Sequence, residues 1–416
     1  MRRVRRHTVI DRNRRLIDPR SDPNHDAERI VRDKPVVRFG KPFHMQSMRL
    51  TLSLSEPHAR TSVERAIAEM RMARPVLVQA GDGSILVQGL EDLTSEHAGE
   101  LGSIASGQAR LVLPAARLRR LGLQREGNGS VALPVIDIAR IATLAFEIEA
   151  RIDAPVHATN ALDEDALELA RLALALPAVI VVPLAPSVAV DASILRVGAQ
   201  DIRGYRDARA RDLAIVARAP VPLEDAGETE FVVFRGGEGL RDQIAVVVGK
   251  PDVSQPVTVR MHSACLTGDL FGSLKCDCGD QLRGSVRHMA EQGGGVLLYL
   301  DQEGRGNGIA NKIRAYELQS RGYDTYDADE MLGFGPDQRR FDFAASMLRG
   351  LGIHKVQLIT NNPDKIAALK KAGIEVVSHE RAFGRTTAEN RLYLTSKRDR
   401  FGHLIELDPE RPKRGS

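Results

Sequence analysis

The amino-acid sequence predicts an α/β (α+β) protein of two domains. Three observations carry that reading. Segments with apolar residues at helical spacing alternate with short apolar runs of strand length through most of the chain. Near the middle, Pro220 and Pro222, with the acidic, glycine-containing stretch to Gly227, interrupt the pattern. At 416 residues the chain is long enough for two cores of ordinary size.

Taken in order, residues 1–50 read as a basic N-terminal arm, rich in arginine and aspartate and poor in periodicity. Its MRRVRRHTVIDRNRR start has no apolar region behind it and is no secretory signal, and Asp11, Asp18 and Asp22 argue against a transit segment. The first α/β domain spans 51–210. Val63, Ile67 and Met70 mark a helix ended by Arg74-Pro75, and a strand follows at Val76–Val78. The turn Gly81-Asp82-Gly83 leads to a strand at Ser84–Val87, and Arg110–Leu113 is a third. Leu162–Leu176 predicts an apolar helix with Asp163 and Glu164 in its first turn, where the helix dipole favours acids. Val179–Val182 is a buried strand. This domain has no cysteine, no glycine-rich phosphate loop and no nucleophile with a partner, so it is expected to be non-catalytic.

The second domain spans 215–405, followed by a tail at 406–416. Strands are predicted at Phe231–Phe234, Ile244–Val248, Val257–Met261, Val296–Leu300 and Val356–Thr360. Helices are predicted at Arg283–Gln292, Ala310–Arg321, Phe341–Leu351 and Pro363–Ala372. Polar residues gather repeatedly after the strands, where such folds place ligands.

The composition narrows the function. A chain 43% hydrophobic and 27% charged is that of a soluble globular protein. The net charge of +4 suits a polyanionic small molecule as well as a nucleic acid, but sparse aromatics and the absence of tryptophan argue against a base-stacking surface. The longest apolar stretch, Leu172–Ala185, is broken by Pro177 and Pro183, so no membrane span is expected. Three cysteines in one short segment point to metal binding in a reducing compartment, hence a cytoplasmic protein.

Those cysteines, Cys265, Cys276 and Cys278, have the spacing C-x10-C-x-C. In an extended or turn segment, Cys276 and Cys278 can face one side while Cys265 closes the site. Thiolates suit zinc, and three protein ligands leave a tetrahedral position open. Two other readings stand beside this one: three buried free thiols, or a closed structural zinc completed by His262 or Asp277. Downstream, Gln302–Gly308 follows a strand; its glycines let backbone N–H groups approach an anion while Arg305 offers a fork of donors, though a plain connecting loop explains it equally. Gly335–Arg340 is a polar loop. Thr360-Asn361-Asn362-Pro363 places a helix start after a strand, where phosphate binds, with Thr360 and Lys365 to assist.

Together the segments RMHSACLTGDLFGSLKCDCGDQL, YLDQEGRGNGIANKIRAY, GYDTYDAD, LGFGPDQRRF and LITNNPDK, in this order and spacing, closely resemble GTP cyclohydrolase II. The resemblance implies a mixed sheet with flanking helices in the second domain and the first reaction of riboflavin biosynthesis. In that reaction formate leaves from C8 of guanine and diphosphate leaves the nucleotide, giving 2,5-diamino-6-(5-phosphoribosylamino)pyrimidin-4(3H)-one. One zinc per chain on Cys265, Cys276 and Cys278 would acidify a water for attack at C8. Tyr316 matches the active-site tyrosine. Asp337 and Arg339 match the residues assigned as proton acceptor and nucleophile at the α-phosphate; a guanidinium needs such a carboxylate to lose its proton, and alternatively Arg339 stabilises charge while water attacks. Arg260, Met261, His262, Ser263, Ala264, Gln281, Glu303, Gly304, Arg305, Thr325, Thr360 and Lys365 fall at nucleotide-contact positions. Glu303 would accept from the guanine N1–H and 2-amino edge. Mg2+ is expected on the departing diphosphate, and a homodimer is a family expectation. Two departures stand out: Ala264 where a glutamate is frequent, and Asp301 where a basic residue is usual.

In many bacteria this enzyme is fused behind dihydroxybutanone phosphate synthase, and Val63–Val78 is weakly similar to the start of that domain. Its acidic signature is absent, with Gln79–Gly83 in its place, so the first domain is expected to serve assembly or regulation. Two rival functions follow from the same residues: a catalytically impaired GTP-binding regulator, and a zinc-dependent nucleic-acid binder using the basic arm.

Overall fold

The structure is a computed structural model that describes residues 58–405, apart from 82, 238–241, 336, 383 and 402–403. The expected basic arm at 1–50 and the tail at 406–416 lie outside the described residues. The described residues form one compact unit and build two seven-stranded mixed sheets.

The first sheet contains β1 (Val76–Ala80), β2 (Gly83–Gly89), β3 (Ala109–Leu113), β4 (Gly129–Leu133), β5 (Val156–Ala158), β6 (Val179–Leu184) and β7 (Leu195–Gly198). Their order is β5-β4-β3-β6-β2-β1-β7, antiparallel throughout except for the β1/β7 pair. The helices are α1 (His58–Arg71), α2 (Ser95–Ala105), α3 (Ala115–Arg120), α4 (Ile138–Phe146), α5 (Ala161–Leu172) and α6 (Ala199–Arg211). Val63, Ile67 and Met70 of α1 join Ala166, Leu169 and Ala170 of α5 under one face, because each helix presents a single apolar stripe. Asn160 caps α5 in a reciprocal box with Asp163. That helix ends at Leu172, short of the predicted Leu176, where Leu174 turns left-handed at φ 57°.

The second sheet runs β14-β13-β11-β12-β10-β9-β8. Its strands are β8 (Ala214–Pro220), β9 (Thr229–Arg235), β10 (Gln243–Gly249), β11 (Val257–Ser263), β12 (Gly294–Leu300), β13 (Lys355–Ile359) and β14 (Glu375–Glu380). The stretch around Pro220 is therefore a hairpin inside this sheet: β8 pairs antiparallel with β9, and Pro220 sits at its edge-strand end, where a missing N–H costs nothing. β14, β13, β11 and β12 run parallel, so their C-terminal ends share one edge. Helices α7 (Leu266–Asp269), α8 (Cys278–Glu291), α9 (Ile309–Ser320), α10 (Thr325–Met331), α11 (Asp342–Gly350), α12 (Pro363–Lys371) and α13 (Arg391–Phe401) complete this half. Val259, Leu298 and Leu358 pack against Phe343, Ala344, Met347 and Leu348 of α11. A further cluster joins Leu176 and Ile148 of the first half to Ala315, Leu318, Met331 and Phe334 of the second.

Candidate active site

Parallel pairing sets the site. Ser263 of β11 lies opposite Leu300 of β12, and Arg260 opposite Ile359 of β13, so the loops leaving the three strands meet at one edge. They carry the cysteines, the Gln302–Gly308 segment and Thr360–Lys365.

The ligand atoms of Cys265, Cys276 and Cys278 lie within 4.8 Å of one another, with Cys265 Sγ and Cys276 Sγ 3.6 Å apart. The local geometry differs from an extended strand: Cys265 precedes the short α7, and Cys278 is the first residue of α8. Gly268 makes the cluster possible, since a Cβ there would meet Cys276 Sγ at 2.6 Å and Cys265 Sγ at 3.0 Å. Asp269 organises the turn by accepting from the Cys265 N–H at 2.9 Å and from the Tyr299 hydroxyl at 3.1 Å. Its carboxylate also holds His262 Nε2 at 3.0 Å, and the Asp277 carboxylate accepts from Gln281 Nε2 at 2.5 Å. Neither residue belongs to the ligand cluster, so a closed site completed by His262 or Asp277 is not what forms.

Three thiolates so close repel, and ionisation concentrates on one. Hydrogen bonds from Cys276 and Cys278, aided by Lys312, hold Cys265 well below the usual thiol range, while the bond to Cys265 pushes Cys276 up to about 11 and raises Cys278. A divalent cation removes that conflict, and a three-sulfur donor set suits zinc. The residues therefore fit the implied metal.

Lys312 stands over this cluster. Its ammonium donates to Glu303 Oε1 at 2.7 Å and lies 3.1 Å from Cys265 Sγ. The other Glu303 oxygen accepts from the Leu266 N–H at 2.5 Å. Glu303 is thus tied to the metal loop through both oxygens, and reading guanine would use its remaining lone pairs. The Tyr316 hydroxyl lies 3.5 Å from Thr267 Oγ1, and burial raises its pKa, keeping the phenol protonated.

The other wall is cationic. Arg260 is buried, donates to Ile359 O at 3.0 Å and to Gln281 at 2.5 Å, and is brought down to about 10 by burial. Arg305 and Gly304 are left-handed (φ 59° and 61°), which turns the Arg305 guanidinium onto the Tyr326 ring at 4.2 Å and to Asp329 at 3.0 Å. Burial opposes the charge of Arg339, but the bidentate Asp337 carboxylate outweighs it and raises the guanidinium pKa. Lys365 donates to Met261 O at 2.6 Å, and burial together with Arg260 and Arg339 pulls its pKa down. Asn362 caps α12, and Thr360 Oγ1 accepts the Asn362 N–H at 3.0 Å.

One pocket gathers most of the predicted residues: Arg260, His262, Ser263, Ala264, the three cysteines, Gln281, Glu303, Gly304, Arg305, Tyr316, Arg339, Thr360 and Lys365. Met261, Thr325 and Asp337 stand behind this lining. Sequence reasoning missed Lys312, Asp329, Tyr393 and Lys397, which also line it. Lys312 had a signal, lying one helical turn before Tyr316 within a quoted motif.

Known proteins place the chain in a family. A sequence model of the family GTP cyclohydrolase II matches residues 214–381. A GTP cyclohydrolase-2 of Xylella fastidiosa (strain 9a5c) is 44% identical over 354 residues, covering 83% of this chain and 87% of its own. The chain belongs to the GTP cyclohydrolase II family of hydrolases. The GTP cyclohydrolase-2 of Azospirillum brasilense is 40% identical over 364 residues, 83% of this chain and 94% of its own. The riboflavin biosynthesis protein RibBA of Thermotoga maritima is 44% identical over 203 residues, 49% of this chain and 52% of its own. A solved two-domain 3,4-dihydroxy-2-butanone 4-phosphate synthase from A. baumannii covers 78% of this chain and 99% of its own at 17% identity and a TM-score of 0.28. Alignments of 354 and 364 residues with members of the GTP cyclohydrolase II family exceed what the second sheet can supply, so they include the first half.

Proposed function

We propose that the protein hydrolyses GTP, opening the imidazole ring of guanine to release formate and cleaving off diphosphate, to give 2,5-diamino-6-(5-phosphoribosylamino)pyrimidin-4(3H)-one for riboflavin synthesis. The observation that carries the reading is one pocket lined together by three convergent thiols, Tyr316, Arg339, Arg305 and Lys365. Cys265, Cys276 and Cys278 would hold a zinc ion, which supplies Lewis acidity for hydrolysis at C8. Tyr316, kept protonated by burial, would donate its proton to a leaving nitrogen. Lys312 and Glu303 hold the Cys265–Leu266 turn and offset thiolate charge.

At the phosphates, Arg339 serves as a fixed cation. Its pairing with Asp337 raises the pKa and so disfavours attack by the guanidinium itself; Arg339 would instead stabilise the developing charge while water attacks. The substrate brings Mg2+ on its diphosphate through phosphate oxygens and water.

The test is incubation of zinc-loaded protein with GTP and Mg2+, assaying formate and diphosphate, with a chelated sample beside it. Both products are expected from the loaded protein and no formate from the chelated one. Zinc-loaded protein that releases neither product removes the proposal.

A further inference from the structure

α13 begins at Arg391, beyond residue 381 where the family match ends, yet it lays Tyr393 and Lys397 along the pocket, one helical turn apart. The Lys397 ammonium rests 4.0 Å from the centre of the Tyr393 ring. Arg305 and Arg339 each face a carboxylate, Asp329 and Asp337. Among the described residues no carboxylate pairs with Lys397; the charged or ionisable groups it faces in the pocket include the Cys278 thiol and Lys365, which repels it. An ammonium has three donors and no acceptor, so what it takes up beside further cations is an anion with several oxygens.

The chain just C-terminal to that residue is tied down twice. Arg400 binds Asp324 at 2.7 Å and Asp327 at 3.3 Å on the α10 side, and the Leu404 N–H donates to Asn361 O at 3.0 Å in the loop after β13. Asn361 and Lys397 thus border the segment that holds Thr360 and Lys365.

Resting on the GTP reading of this pocket, we propose that Lys397 binds the phosphate chain of the nucleotide, and that α13 is a strap which the nucleotide fastens across the site. The Tyr393 face orients the ammonium, and the Arg400 and Leu404 contacts set where the strap lies.

The probe is the α,β-methylene analogue of GTP, which resists diphosphate cleavage, with guanosine as the phosphate-free control. Dissociation constants are measured on zinc-loaded full-length protein carrying Lys397→Gln or Lys397→Arg. A lost charge-assisted contact predicts analogue binding weakened roughly ten- to hundredfold in the glutamine variant, largely restored in the arginine variant, with guanosine affinity unchanged. The analogue is also expected to slow tryptic cleavage after Lys397, Arg398 and Arg400. Analogue affinity in Lys397→Gln within twofold of wild type, an equal loss for guanosine, or unprotected cleavage overturns the inference. Wild-type protein that fails to bind the analogue overturns the GTP reading itself.

Discussion

Asp329 shows how a single side chain lining the pocket sets both charge and pH response. Burial pushes its carboxyl up to about 6, against the opposing pull of Arg305, from an ordinary value near 3.8. The folded state therefore favours the protonated form. The stability this form contributes is full below about pH 4 and is lost as pH rises through 6. Asp329→Asn removes the titration, so between pH 3.5 and pH 8 its stability relative to wild type should rise by about 3 kcal/mol, read from urea midpoints. A constant difference across that range would show that folding leaves the Asp329 pKa unshifted. Gly268 makes a sharper steric case. Gly268→Ala would drive a methyl onto Cys276 Sγ and Cys265 Sγ, and bound zinc measured after gel filtration should fall well below one per chain while the far-ultraviolet circular dichroism is kept.

At the scale of elements, what the sequence makes legible follows from local signals. β11, β12 and β13 are apolar runs bounded by polar turns, and they appear close to where periodicity puts them. The cysteine cluster was legible from spacing, because three thiols in fourteen residues have few other uses. α10 and α13 were not legible: TYDADEM and RLYLTSKRDRF lack a clear apolar stripe. Beside a few buried apolar residues, charged partners distant in sequence hold them, with Arg119 and Arg120 reaching Glu330 and Asp327, and Arg400 reaching Asp324 and Asp327. Such pairs leave no periodic trace. Removing one end is the check: Asp324→Ala deletes the α10 N-cap and the Arg400 contact together, and should lower stability by about 1 to 2 kcal/mol with a larger loss of GTP affinity than of turnover number.

Across the whole molecule, the first half buttresses the elements that carry the pocket. Arg117 is its deepest tie: buried in α3, it donates to Thr143 O, Leu144 O and Glu147 O at the end of α4 and to Met331 O at the end of α10. One guanidinium thereby caps helix ends from both halves, where carbonyls lack partners and the dipole favours a cation. Burial brings it down to about 10, still charged at neutral pH. Asn311 of α9 donates to Leu174 O at 3.0 Å, and Arg340, next to Arg339, reaches Asp207 of α6 at 2.7 Å. These contacts position Lys312, Tyr316 and Arg339 through elements of the first half. Arg117→Ala should cost about 3 kcal/mol and lower GTP turnover through α10, although it lies outside the pocket.

The central claim is that one pocket performs two hydrolyses with separate residues: the cysteine end opens the ring and the Arg339 end cleaves the diphosphate. The most direct test is to measure formate and diphosphate separately, from the same GTP incubation, in Cys276→Ser and Arg339→Ala. The account predicts that the serine variant loses formate release by at least about a hundredfold while retaining diphosphate release. It predicts that the alanine variant slows diphosphate release by a similar factor, without abolishing it, since water is the nucleophile. Undiminished formate from Cys276→Ser, or undiminished diphosphate from Arg339→Ala, would contradict it.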